Sequence, residues 1–175
     1  MLRYWNNLIN TECRVALFPD HAIYPIFKNG SSSIFSAAHQ VLVDDRIKDH
    51  AKDIHVFLRD PKQRFVSGVN EYSKQNNLPV MTTYQRILDE ALIDRHFAPQ
   101  WIWLFHLFKY HKGSVTLRPF SELGQVCRQN TNKSQYKVQI QVPEEYVKID
   151  MQLIGHVGQT LPLERLVREY KHVLS

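Results

Sequence analysis

Residues 54–67 read IHVFLRDPKQRFVS, and this stretch decides how the rest of the sequence is interpreted. Its first five residues form an apolar run of the length of a buried strand. Asp60 and Pro61 then interrupt the run, and a proline in the first turn is a common start of a helix. The stretch therefore predicts a strand over 54–58, a turn, and a helix over 64–75.

The same order of elements occurs earlier in the chain. Residues 22–27 read AIYPIF, an apolar run that leads directly into Lys28, Asn29, Gly30 and three serines at 31–33. An apolar run bounded by a turn signal is typical of a buried strand. The serines offer a cap for a helix that begins near residue 34. A second strand–turn–helix unit is the prediction.

The rest of the chain continues to alternate between strands and helices. The remaining predictions are two short strands at 41–43 and 114–117, an edge strand from Tyr136 to Val142, helices over 83–94 and 98–111, a short helix capped by Ser121, and helices that begin at Pro143 and Pro162. The helix over 98–111 is apolar on nearly all sides, so we expect it to be central. Alternating strands and helices predict one α/β domain over residues 1–175 with a mainly parallel sheet.

Composition sets limits on the class of protein. The 175 residues are 43% hydrophobic, which is enough for a core and too much for a disordered tail. There are 22 Lys and Arg against 17 Asp and Glu, so the net charge is +5 and anionic partners are favoured. The two cysteines, Cys13 and Cys127, are too few for a disulfide framework.

No segment of the sequence has the character of a membrane span or a signal peptide. The most apolar stretch, residues 101–108, is interrupted by a histidine and is far shorter than the ~20 residues that a bilayer requires. The first residues, MLRYWNNLINTECR, lack an apolar centre. We therefore expect a soluble, cytoplasmic protein without a membrane partner.

The two strand–turn–helix units have the chemistry of a phosphate site. A turn that leads into a helix exposes free backbone N–H groups, and Gly30 and the serines at 31–33 add close approach and hydroxyl donors. Lys28 supplies a positive charge at the first turn, and Arg59 follows a strand at the edge where open α/β sheets bind ligands. Lys28 precedes the only glycine of this turn, so the first turn is not a Walker A loop.

Here the sequence resembles a known family. The turn from Lys28 to Ser33 resembles the 5′-phosphosulfate loop of sulfotransferases, and residues 59–67 resemble their 3′-phosphate motif, RDPxxRxxS. Residues 95–100, RHFAPQ, resemble an H[WF]xPQ segment, and residues 132–134 are a fainter match to a late N-x-S segment. The resemblance spans residues 23–134 and is to the carbohydrate branch, which includes the Golgi glycan and heparan sulfate enzymes.

The resemblance implies a fold, a donor and a reaction. The fold would be a P-loop-like three-layer sandwich with a mainly parallel central sheet and helices on both faces. The reaction would move a sulfuryl group from 3′-phosphoadenosine 5′-phosphosulfate (PAPS) to a carbohydrate hydroxyl and release adenosine 3′,5′-bisphosphate (PAP). Lys28 would contact the leaving oxygen, Asn29, Gly30, Ser31, Ser32 and Ser33 would hold the 5′-phosphosulfate, and Arg59 and Ser67 would hold the 3′-phosphate. The scheme requires no metal.

The reaction also needs a general base for the acceptor hydroxyl, with a pKa near the working pH. In the family the base usually lies between the two phosphate motifs, which nominates Asp44, Asp45 and the nearby His39. His96, in the H[WF]xPQ segment, is a fourth candidate. Each has an ordinary structural alternative: a solvated turn for the aspartates, a packed or surface position for His39, and a helix cap for His96.

Two other classes of function fit parts of the sequence. The first is a small P-loop-like nucleotide kinase or hydrolase, and the second is a non-catalytic domain that binds a polyanion or nucleic acid through the +5 charge. The order of residues in the first turn disfavours the kinase. Histidines at 50 and 55 and at 106 and 111 lie five apart, which is not the spacing of a helical metal site. We therefore expect a carbohydrate partner, no nucleic acid and no metal.

Overall fold

Six strands form one sheet in this protein, whose computed structural model describes residues 12–50, 52–89, 92–127 and 139–174. The strands are β1 (Arg14–Leu17), β2 (Ala22–Ile23), β3 (Gln40–Val43), β4 (Ile54–Leu58), β5 (Ser114–Pro119) and β6 (Thr160–Pro162). Their order across the sheet is β3-β1-β2-β4-β5-β6. The strand predicted at 54–58 is confirmed as β4, and it lies between β2 and β5.

The sheet is mixed. β4 pairs in parallel with β2 and with β5, whereas β1 pairs antiparallel with β2 and β3, and β6 pairs antiparallel with β5. β3 therefore points in the same direction as the central strands although it is bonded only to β1. The predicted α/β class is confirmed, and parallel pairing is limited to the centre. β1 and β6 were not predicted, and the strand predicted within residues 22–27 is limited to Ala22–Ile23 of β2.

Eight α-helices are assigned in the described residues. They are α1 (Ser31–Ala37), α2 (Asp45–Lys48), α3 (Pro61–Gln75), α4 (Val80–Asp89), α5 (Gln100–Phe108), α6 (Leu123–Cys127), α7 (Glu144–Ile154) and α8 (Leu163–Tyr170), with 3-10 segments at Phe120–Glu122 and Lys171–Leu174. α3 begins earlier than predicted because the Asp60 carboxylate accepts a hydrogen bond from Gln63 N at 2.8 Å. Pro143 and Pro162 precede α7 and α8, as predicted.

Three local predictions are corrected. The serines at 31–33 do not cap α1: they are its first residues, and the N-cap position is Gly30. Ser121 lies inside a 3-10 segment instead of capping a helix. Of the predicted edge strand, Tyr136 and Val138 lie outside the described residues, and 139–142 has no strand.

Apolar side chains cover both faces of the sheet. Ile54, Val56 and Leu58 of β4 point into the main core, which includes residues of α3, α5, α7 and α8. Phe57, on the other face, packs with Ile34 of α1 and Leu123 of α6. α5 is buried along nearly its whole length, which confirms that it is a central helix. Within the described ranges, no helix combines the length and apolar character needed to cross a membrane.

Candidate anion-binding site at the strand ends

The two predicted phosphate motifs lie side by side. β2 and β4 are parallel neighbours, so the turn that follows β2 and the residue that follows β4 emerge at the same edge of the sheet. Arg59 Nη1 donates a hydrogen bond of 3.0 Å to the carbonyl oxygen of Lys28, and the Arg59 guanidinium lies 5.4 Å from the centre of the Phe120 ring. The motifs are therefore in direct contact.

The side chain of Gln100 joins these motifs to the third segment of the resemblance. Its Oε1 accepts hydrogen bonds from Asn29 Nδ2 at 2.7 Å and from Arg59 N at 2.9 Å, and its Nε2 donates to the Arg59 carbonyl at 2.8 Å. Gln100 is fully buried, so water does not compete for these bonds. Sequence segments separated by dozens of residues thus meet at one amide.

Asp150 of α7 caps the first turn of α5. Its carboxylate accepts hydrogen bonds from the backbone N–H groups of Gln100 at 2.8 Å and Trp101 at 3.0 Å, which α5 itself leaves without partners. Burial raises the pKa of Asp150 to about 6, against the opposing effects of the Gln100 hydrogen bond and the charge of Arg64. The sequence carries no signal for Asp150, because it follows ordinary helical residues.

Arg64, the second arginine of the RDPxxR motif, is a structural residue. It is buried, its Nε donates to the Phe27 carbonyl at 3.0 Å, and its Nη1 donates to the Ala98 carbonyl. Burial lowers the pKa of its guanidinium to about 10. The side chain therefore ties the first turn to the segment before α5.

Lys28 adopts a backbone conformation that is uncommon for a residue with a side chain, with φ of 66°. Its Nζ lies 3.8 Å from Glu71 Oε2 of α3, and the two side chains are 19% and 31% exposed. Glu71 is not among the residues predicted from the sequence, and it lies one helical turn beyond Ser67. An anion at Lys28 would compete with this carboxylate.

The rest of the first turn has a structural role that the sequence analysis did not anticipate. Gly30 has φ of 75°, and a Cβ there would lie 2.5 Å from Leu123 Cδ2, so α6 packs against the position expected to approach a ligand. Asn29 is buried and donates to the Phe57 carbonyl at 2.9 Å. The serines at 31–33 form the first turn of α1, with Ser32 exposed.

Ser67 lies on α3, fully buried, and its hydroxyl has no hydrogen-bond partner among the described residues. The neighbouring Gly68 explains the enclosure: a Cβ at this position would lie 2.1 Å from the carbonyl oxygen of His96. The backbone at His96 and Phe97 therefore presses directly against α3. Residues 67–71 of α3 thus carry Ser67, the Gly68 contact with the His96 backbone, and Glu71, which pairs with Lys28.

His96 is held in a defined orientation at this position. Its ring is 8% exposed, its Nδ1 lies 2.5 Å from Asp94 Oδ1, and its backbone N–H donates to the same oxygen at 2.9 Å. The ring edge faces Phe27, with centroids 5.8 Å apart, and the guanidinium of Arg95 lies over the same phenyl ring. Burial alone would raise the pKa of Asp94, but the hydrogen bonds from His96 lower it below its ordinary value.

The other three candidate bases do not join this group. Asp44 accepts a hydrogen bond of 2.8 Å from Cys13 N at the end of β3, three strand positions from β4, or roughly 14 Å at the usual spacing. Asp45 is 83% exposed and forms an ion pair with Lys48 at 2.8 Å. His39 precedes β3 and lies at the opposite edge of the sheet.

The composition of the site fits an anionic ligand. Ser67 Oγ and Arg64 Nη2, one helical turn apart, are buried donors without a hydrogen-bond partner in the described ranges. Such donors suit a group that brings oxygen acceptors, as a phosphate does. No group of three His, Cys, Asp or Glu side chains suited to a metal ion occurs in the described residues. Residues 132–134, the predicted match to a late N-x-S segment, lie outside the described residues.

This geometry brings together Lys28, Arg59, Ser67 and His96 of the predicted residues, and it adds Glu71, Asp94, Gln100 and Asp150. Arg59 is in direct contact with Lys28, and the His96 ring faces Phe27, the residue before Lys28, so cationic groups and an oriented imidazole lie around the first turn. No family model, no curated protein and no solved structure matches the chain.

Proposed function

We propose that this protein is a PAPS-dependent sulfotransferase that transfers a sulfuryl group to a hydroxyl of a carbohydrate acceptor. One observation carries the proposal: the three segments that resemble sulfotransferase motifs are bonded to each other at adjacent strand ends. Gln100 joins Asn29 to Arg59, and Arg59 bonds to Lys28. The parallel pairing of β2 and β4 accounts for the adjacency of the first two motifs, and the bonds of Gln100 add the third.

The proposal includes the fold. Apolar clusters on opposite faces of the sheet, with α1 and α6 on one side and α3, α5, α7 and α8 on the other, support a P-loop-like three-layer sandwich. The parallel strands β2, β4 and β5 would then be the centre of that architecture, and β1 and β6 would be antiparallel additions.

The donor is assigned to the residues around the first turn and Arg59. Lys28 and Arg59 provide the positive charge for the phosphates, and Ser67 provides a hydroxyl without a partner. Ser67 is fully buried, so its contact with a 3′-phosphate requires the groups that enclose it to move. The 3′-phosphate distinguishes PAPS and PAP from ordinary adenylates.

The chemistry follows from the groups present. The oxygen of the acceptor hydroxyl forms a bond to sulfur, the bond from sulfur to the 5′-phosphate oxygen breaks, and the electron pair leaves on PAP. Lys28 stabilises the charge that develops on that phosphate. The hydroxyl proton passes to His96. This is the one candidate base that lies next to the first turn, because its ring contacts Phe27.

Arg59→Ala is expected to weaken PAP binding by about 10- to 100-fold, because a hydrogen bond to a charged group contributes about 1.5–3 kcal/mol. AMP, which has no 3′-phosphate, is expected to bind the wild-type protein more weakly than PAP and to be less sensitive to the substitution. Isothermal titration calorimetry of both ligands with both proteins measures these differences.

Arg86→Ala is the matched control, since Arg86 is an exposed arginine of α4 and its loss is expected to leave PAP affinity unchanged. Equal affinity for PAP and AMP in the wild-type protein would refute the assignment of the donor. A preference for nucleoside triphosphate with Mg²⁺ would favour the kinase or hydrolase. A comparable loss of PAP affinity in Arg59→Ala and Arg86→Ala would instead favour general polyanion binding.

A further inference from the structure

The contact between Asp94 and His96 is more specific than an ordinary surface ion pair. One carboxylate oxygen, Asp94 Oδ1, receives both the backbone N–H of His96 at 2.9 Å and its ring Nδ1 at 2.5 Å. The Asp94 carbonyl also accepts hydrogen bonds from Phe97 N and Ala98 N. Asp94 thus defines the turn and the direction of the ring at the same time.

The surroundings leave this ring little freedom. The backbone of His96 is in contact with α3 at Gly68, and Arg64 holds the next segment through the Ala98 carbonyl. Phe27 lies against the ring edge, with an interplanar angle of 83°. A ring that is 8% exposed and hydrogen-bonded at Nδ1 has its other nitrogen, Nε2, left to exchange a proton.

We propose that Asp94 is a positioning residue that keeps the proton of neutral His96 on Nδ1, so that Nε2 is the atom that accepts the proton of the acceptor hydroxyl. This inference rests on the proposed sulfotransferase function. The carboxylate does not take the proton: it orients the imidazole and stabilises the imidazolium that forms while the oxygen–sulfur bond is made. The low pKa of Asp94, which follows from its bonds to His96, agrees with an ionised partner.

The test is the tautomer of His96 measured by ¹⁵N NMR in mildly alkaline buffer, with His96→Gln to assign the signal. In the wild-type protein we expect the Nδ1–H form to dominate. His111 is an internal reference of the opposite kind, because its Nε2 lies 2.8 Å from the Ser114 carbonyl, which fixes the proton on Nε2. Without the carboxylate, Asp94→Ala should shift His96 to the Nε2–H form and leave His111 unchanged.

Asp94→Ser is the variant that preserves the turn, because a serine hydroxyl still accepts a hydrogen bond from the backbone N–H of residue 96. It is expected to shift the tautomer as Asp94→Ala does. A dominant Nε2–H form of His96 in the wild-type protein, or an unchanged tautomer in both variants, would overturn the inference. PAP binding, measured on the same proteins, is expected to be retained. Absence of PAP binding in the wild-type protein would count against the donor assignment instead, so the two failures are distinguishable.

Discussion

Gly68→Ala is expected to destabilise the protein by about 3 kcal/mol, although a glycine-to-alanine change inside a helix ordinarily stabilises it by up to about 1 kcal/mol. The sign is reversed because the added Cβ would lie 2.1 Å from the carbonyl oxygen of His96, 2.6 Å from its carbonyl carbon and 2.9 Å from Phe97 Cα. All three are backbone atoms, so no side-chain rotation relieves the overlap. Urea unfolding measures the change as a lower midpoint at constant m-value.

Gly155→Ala is the matched control. Gly155 follows α7 with a helical φ of −58°, and a Cβ there meets only the Gln152 carbonyl, at 3.1 Å. We expect a change of less than about 1 kcal/mol in either direction. Equal stability of Gly68→Ala and the wild-type protein would mean that the backbone at residues 96–97 does not rest on α3, and the position of His96 next to Ser67 would be wrong as well.

Asp150→Ala is expected to lower the free energy of unfolding by about 4 kcal/mol. The substitution leaves two buried N–H groups, of Gln100 and Trp101, without an acceptor and removes a negative charge that stabilises the buried Arg64 guanidinium. Since Gln100 orients Arg59, PAP affinity should fall too. Chemical denaturation and PAP calorimetry together measure the loss.

Glu145→Ala, an exposed acidic residue in the first turn of the same helix, is the control for Asp150→Ala. Its loss is expected to cost about 0.5 kcal/mol through the helix dipole alone. If both variants lost the same small amount of stability, the carboxylate of Asp150 would not be supporting α5.

The contribution of Asp150 to stability also has an unusual dependence on pH. Its pKa rises from an ordinary 3.8 to about 6 on folding, so the folded protein binds the extra proton between these values. The stabilisation that comes from binding this proton is fully present below pH 3.8 and is lost as the pH rises through about 6. The free energy of unfolding changes by ~3 kcal/mol over this range. The stability of the wild-type protein relative to Asp150→Asn should therefore be greater at the acid end of this window than at neutral pH. A relative stability that increases with pH would contradict the raised pKa.

Local sequence predicts the elements that position the site. An apolar run followed by Asp60 and Pro61 produces β4 and α3, since the aspartate caps the helix and the proline needs no N–H partner in its first turn. The adjacency of Lys28 and Arg59 follows once β2 and β4 are parallel neighbours. These features depend on a few residues in a row, which a sequence pattern records directly.

The choice among the candidate bases illustrates the opposite case. Asp44, Asp45, His39 and His96 are all candidates by sequence, and the tertiary structure separates them. β1 inserts between β3 and β2, so the residues that flank β3 lie away from the two motifs, whereas His96 lies against Phe27. β1 has four residues and pairs antiparallel with β2 through a short connection, and β6 pairs antiparallel with β5, so the sheet is mixed. Neither the length nor the direction of such a strand leaves a clear periodic signal.

By itself, then, the sequence determined the α/β class, the central strand and helix, and the presence of cationic residues at two strand ends, because each is encoded by neighbouring residues. The tertiary structure decided which residues meet there. Gln100 bonds to both motifs, Asp150 supports Gln100 from a distant helix, and Asp94 orients His96 against α3. These are buried or partly buried polar contacts, most of them between segments far apart in the chain, and they are strengthened by the exclusion of water, a property that only the folded protein has.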